Sequence, residues 1–74
     1  MTFHEASDFL MPFGHHVDQS LDQIAETDAG LLYLDWMRGQ LDNQRLSPQR
    51  LRLKEALGTY LDDSTIKKEL RALL

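Results

Sequence analysis

Seventy-four residues and 8.6 kDa allow one small domain, with no cysteine to staple it or to supply the thiolates of a zinc site. Apolar residues make up 42% and charged residues 27%, the balance of an ordinary globular protein, and no apolar run approaches the roughly 18 residues of a membrane span. The formal charge of −4 disfavours non-specific attraction to nucleic acid, and with no basic segment leading into an apolar one the default expectation is a cytoplasmic location.

Thr2 and Glu5 have capping-box spacing, which places Phe3, Ala6, Phe9 and Leu10 either along a short helix or in an extended arm. Leu10-Met11-Pro12-Phe13-Gly14 follows, apolar but carrying a proline that suits only a sheet edge or a strand start. Gly14 tolerates a positive φ and lets the chain turn back through His15, His16 and Val17, so a β-hairpin is predicted over residues 10–18. Ser20 is a good N-cap for a helix over 20–26 that turns Leu21, Ile24 and Ala25 inward.

Thr27 or Asp28 opens the next helix, 29–40, which is apolar from Leu31 to Met37 except at Asp35. A helix apolar nearly all round is expected at the buried centre of its domain, and Tyr33, Trp36 and Met37, which could form an aromatic hot spot, are at this helical spacing expected in the core instead. Gly39 and Asp42-Asn43 break it. Ser47 as N-cap and Pro48 at the first helical position mark a helix over 48–62, with Leu46 and Leu51 at the spacing of a hydrophobic staple. Leu53, Ala56, Leu57, Tyr60 and Leu61 form its stripe. Asp62-Asp63-Ser64 ends it and caps a last helix, 64–73, whose Lys67, Lys68 and Arg71 suit the negative end of the helix dipole. The expected fold is α+β and mostly helical: a small N-terminal β-hairpin followed by a compact three- to four-helix domain, all within residues 1–74.

Charge is unevenly spread. Residues 1–41 hold seven acids and one base, Arg38, for a net −6, whereas residues 42–74 hold five acids and seven bases, for a net +2. Such asymmetry marks either a binding surface or two solvated faces. His15 and His16 are adjacent, so on a strand they point to opposite faces, and with His4 they lack the i, i+3 or i+4 spacing of helical ligands. Ordinary surface histidines are therefore favoured over a metal site, and no cofactor is expected. The N-terminal acids show no paired-carboxylate spacing and no nucleophile–base pair stands out, which favours a non-enzymatic protein. Arg45, Arg50, Arg52 and Lys54 cluster around the start of helix 48–62, where positive charge opposes the dipole and an anionic partner relieves the conflict. With few aromatics beside this cluster in sequence, a stacking platform for single strands is not expected.

The run Met11-Pro12-Phe13-Gly14-His15-His16-Val17-Asp18-Gln19-Ser20-Leu21-Asp22-Gln23-Ile24-Ala25-Glu26, with Asp28 and then Tyr33-Leu34-Asp35-Trp36, resembles the motif of the exodeoxyribonuclease X-like C-terminal family and its quorum-sensing-regulated virulence factor relatives. Their pattern reads about as MPFGKHKGKxLxEIAE, then an aspartate, then YLxW. The family's lysines fall here on His15, Val17 and Gln19, and its second glycine on Asp18. The resemblance implies a small domain found near DNA metabolism, attached to nucleases or free-standing in bacteria and bacteriophages. Any phosphate contacts made by those lysines are lost here, which weakens binding and flattens its salt dependence.

These readings together lead us to expect a small, monomeric, non-enzymatic regulator encoded by a bacteriophage. Its partner is expected to be a host protein of the nucleic-acid machinery, such as RNA polymerase or a replication or repair enzyme. His15, His16, Asp18 and Asp22 then face a basic partner surface, or Arg45, Arg50, Arg52 and Lys54 face an acidic one. The alternative is a nucleic-acid-binding accessory domain that uses the Arg45–Lys54 cluster.

Overall fold

Every helix of this protein begins at a side-chain oxygen that accepts from a free backbone N–H, and these caps set the course of the chain. A computed structural model describes all residues, 1–74. It contains α1 (Phe3–Asp8), α2 (Leu21–Ile24), α3 (Asp28–Leu41), α4 (Pro48–Leu61) and α5 (Ser64–Leu73). The caps are Thr2, Ser20, Thr27, Ser47 and Asp63 in that order. Two of them are reciprocal. Glu5 Oε1 accepts from the Thr2 N–H at 3.3 Å, and Gln23 Oε1 from the Ser20 N–H at 2.9 Å. Hydrogen bonds from the Thr2 backbone, and then from its hydroxyl, hold the Glu5 carboxyl below its usual value of 4.5.

The chain is 65% helix and has no strand or sheet, so the expected N-terminal β-hairpin is absent and the fold is all-α. Residues 10–18 form a closed loop instead. Only Leu10 and Ser20 form a β-bridge. The Met11 N–H donates to the Gln19 carbonyl at 2.8 Å, the Asp18 N–H to the Met11 carbonyl at 2.9 Å, and the Leu21 N–H to the Phe9 carbonyl at 3.1 Å. Beyond that neck, Pro12 has no amide to pair, and Gly14 (φ 84°) and Asp18 (φ 66°) adopt left-handed conformations that bend the backbone out of any ladder. The fully buried Met11 side chain anchors the loop to the core.

The core draws on every helix: Ala6, Leu21, Ile24, Leu31, Leu34, Met37, Leu41, Leu53, Ala56, Leu57, Tyr60, Leu61, Ile66 and Leu70, joined by Met11. It contains no polar residue except the Tyr60 phenol, and no charged side chain is buried. The centre is α4, packed against α1, α3 and α5. The expectation that helix 29–40 would be the buried centre is corrected by its own surface, where Leu32 is 36% and Trp36 is 56% exposed. A domain of this size has one thin core, so a helix at its edge buries one side whatever its composition. The staple residues also part company, since Leu46 packs on the core while Leu51 faces solvent. Arg38 pairs with Asp35 at 3.0 Å and with Asp62 at 3.4 Å, and Lys54 with Asp42 at 3.3 Å, so ion pairs tie α3 and its C-cap to the middle and the C-cap of α4. No helix is long and apolar enough to cross a membrane.

Tyr60 links the N-terminal third to α4. Its ring stacks on Phe3 with centroids 5.3 Å apart, and its hydroxyl donates to Asp22 Oδ1 at 3.1 Å. Burial first, and the Asp22 carboxylate second, push the phenol well above its ordinary value of 10.0. Because the folded-state value is raised, the associated stability is complete below about pH 10 and is lost as pH rises toward the folded-state value. Tyr60→Phe is expected to cost about 1 kcal/mol at neutral pH for the lost hydrogen bond. The same variant should lose less stability than the parent above pH ~10 in urea melts; parallel pH profiles would remove Tyr60 as the alkaline trigger.

Close approach of α3 to α2 depends on Gly30. A Cβ there would collide with the Ile24 carbonyl. Gly30→Ala should therefore destabilise by about 1–3 kcal/mol. Gly39→Ala, on the same helix but with open space around it, should stabilise by about 0.5–1 kcal/mol. Thermal melts of the two variants should move in opposite directions.

Candidate functional site

The buried positions of α3 are Gly30, Leu31, Leu34, Met37 and Leu41, which share one face of the helix. Leu32 and Trp36 lie off that face and project into solvent, with half-buried Tyr33 along one border. The rings of Tyr33 and Trp36 are 5.9 Å apart, and the His16 ring packs on Tyr33 at 4.9 Å with a 52° tilt. His16 reaches this place because the loop turns at Gly14, where an added Cβ would lie 3.6 Å from the Tyr33 hydroxyl. The next residue back, Phe13, has the Arg50 guanidinium stacked over its ring at 4.7 Å. One surface therefore runs from Trp36 through Tyr33 and His16 to Phe13 and Arg50, built by α3, the 10–20 loop and the start of α4.

The residues singled out from sequence are divided by the fold. His16 and Arg50 belong to this surface, with His16 Nδ1 3.2 Å from Gln19 Oε1 and Arg50 Nη1 donating to Gln44 Oε1 at 3.5 Å. His15 and Asp18 are exposed on the same loop. Asp22 is the acceptor for Tyr60, so it does structural work on the side of α2 facing α4. Arg45 and Arg52 are exposed, while Lys54 is drawn to Asp42. The four basic residues therefore do not act as one free patch. Phe13 beneath Arg50 also supplies an aromatic neighbour that the sequence order of the basic cluster does not show.

Trp36, expected in the core, is exposed and Tyr33 is half-buried, as the alternative of an aromatic hot spot requires, while Leu32 and Phe13 were not expected at this surface. A signal existed: Leu32 and Trp36 are four apart and out of phase with the stripe Leu31, Leu34 and Leu41. The surface has no pocket, and no group of three His, Asp or Glu side chains is placed to hold a metal ion. Its chemistry is that of a flat contact area, with exposed apolar and aromatic faces and charges at the margins. No protein-family model, curated protein or solved structure matches this chain.

Exposure at Trp36 separates folding from recognition. Trp36→Ser should change stability by less than about 1 kcal/mol, whereas Leu34→Ala, fully buried two residues away on the opposite side of the helix, should cost about 2–5 kcal/mol. Chemical denaturation of the two variants checks this, and a large loss for Trp36→Ser would make the tryptophan a packing residue.

Proposed function

We propose that this chain is a small non-enzymatic regulator that docks on a protein of the nucleic-acid machinery through the Trp36 surface. The carrying observation is a tryptophan 56% exposed beside exposed Leu32 and half-buried Tyr33. Leaving such area in water costs hydrophobic free energy that a partner recovers, and tryptophan and tyrosine are the residue types enriched where binding energy concentrates. Charge favours a protein over a nucleic acid at this place. The one base among residues 1–41, Arg38, is already matched by Asp35 and Asp62. The resemblance to the exodeoxyribonuclease X-like C-terminal family supports the choice of partner class. Left-handed Gly14 and Asp18 fall where that family's pattern has its two glycines, which supports a shared loop conformation. In this reading the partner is RNA polymerase or a replication or repair enzyme, the chain is a bacteriophage product, and it acts in the host cytoplasm.

A second reading has one observation in its favour. Arg50 stacked on Phe13, with exposed Arg45 and Arg52 nearby in sequence, combines a cation with an aromatic face in the manner of single-strand binders. The two readings separate in a nuclease-treated pull-down from bacterial lysate with the tagged protein, run in parallel with Trp36→Ser and Arg50→Glu. The protein-directed reading expects a stoichiometric partner that survives nuclease and is lost with Trp36→Ser. Capture that vanishes with nuclease and with Arg50→Glu, but tolerates Trp36→Ser, transfers the function to nucleic acid.

A further inference from the structure

The solvent side of α3 carries a repeat of its own. Ala29, Leu32, Trp36 and Gly39 succeed one another at intervals of three, four and three residues, the spacing of the seam along which two helices pack side by side. All four are exposed, and Gly39 has open space where a Cβ would stand. The large residues in the middle supply the contact area, and the small ones at the ends leave room for a second helix's own side chains. Along one border of this seam, Asp28, Asp35 and Asp42 recur every seven residues, which places them on one edge of the helix and its C-cap.

That edge is negative even after its ion pairs are counted. Arg38 sits between Asp35 and Asp62, and Lys54 answers Asp42, so the four aspartates 28, 35, 42 and 62 meet two bases and two negative charges remain. A second copy of this chain laid antiparallel on the seam would match Leu32 with Trp36 and Ala29 with Gly39. It would also set the aspartate edge against its own copy, and like charges along paired helices are repulsive. The apolar pattern invites a helix, and the charge pattern rejects this one.

We propose that the α3 seam takes a partner's amphipathic helix whose flank carries lysine or arginine, the apolar side covering Leu32 and Trp36 and the cations facing the Asp28–Asp35–Asp42 edge. This rests on the protein-directed reading above and names the chemistry of the partner. Helix-on-helix docking needs no pocket, only a matched stripe, and the charged edge sets on-rate and selectivity.

Trp36 is the only tryptophan, so its fluorescence reports on the seam directly. The probe is a synthetic peptide of about three heptads with leucine at both seam positions and lysine at both flanking positions. Its twin carries glutamate in place of lysine. The lysine peptide should shift Trp36 emission to the blue and bind at least about tenfold tighter than the glutamate twin, with affinity falling as salt is added. Asp28→Lys should narrow that difference. Leu32→Ser, at a solvent-facing position, should abolish binding in calorimetry while circular dichroism stays unchanged. Equal affinity for the two peptides, or no blue shift with either, overturns the inference. So does a concentration-dependent dimer in sedimentation that Leu32→Ser dissolves, because the seam would then belong to a second copy. Failure here with a pull-down still sensitive to Trp36→Ser would remove the helix and leave the protein-directed reading standing. Loss of both signals would remove both.

Discussion

A buried phenol must find an acceptor, and the placing of the N-terminal third of this protein depends on how Tyr60 finds one. Tyr60 is 1% exposed on the helix at the centre of the core, so its hydroxyl cannot rely on bulk water. Asp22 answers it at 3.1 Å and Phe3 covers the ring. One side chain of α4 therefore holds α1 by its ring and α2 by its hydroxyl. With α2 set in this way, α3 can start only where Gly30 passes the Ile24 carbonyl. The loop between α1 and α2 closes through backbone hydrogen bonds at Met11, and its tip is delivered against Tyr33.

The same arrangement explains why the candidate surface lies where it does. All the apolar side chains that α4 can cover belong to one face of each neighbouring helix, and α3 has more apolar residues than one face holds. Leu32 and Trp36 are the surplus. In a chain of this size about 40% of the unfolded surface stays exposed, and apolar side chains grouped there form a candidate contact area. The tie of Arg38 to two carboxylates leaves no unpaired cation on α3 itself, while Arg50, stacked on Phe13, is the cation at the far end of the surface.

How much of the site could be read from the chain follows from the kind of information each residue carries. Arg50 and His16 stood out as charged or titratable residues, but their roles depend on Phe13 and Tyr33, neighbours supplied by folding. Asp22 looked like part of an acidic patch and is instead the partner of a phenol 38 residues away. Lys54 looked like part of a basic one and is matched to Asp42. Charge counts are local sums over sequence, whereas ion pairs and stacking depend on distances in space, and the two coincide only by accident.

By itself the sequence determined the later helices, because a cap is a contact between residues two or three apart: Ser20 with Gln23, Ser47 with Arg50 and Asp63 with Ile66 follow from local geometry, whereas Thr2 with Glu5 left a short helix and an extended arm both open. It also determined the stripe of α4, since periodicity along one helix is likewise local. Tertiary structure decided the rest. Residues 10–18 have the composition of a hairpin, but strand pairing needs a partner strand in register, and the left-handed residues at 14 and 18 together with the buried Met11 favour a closed loop. Trp36 has the composition of a core residue, but which side of a helix is buried is settled by what packs against it, and α4 lies on the other side.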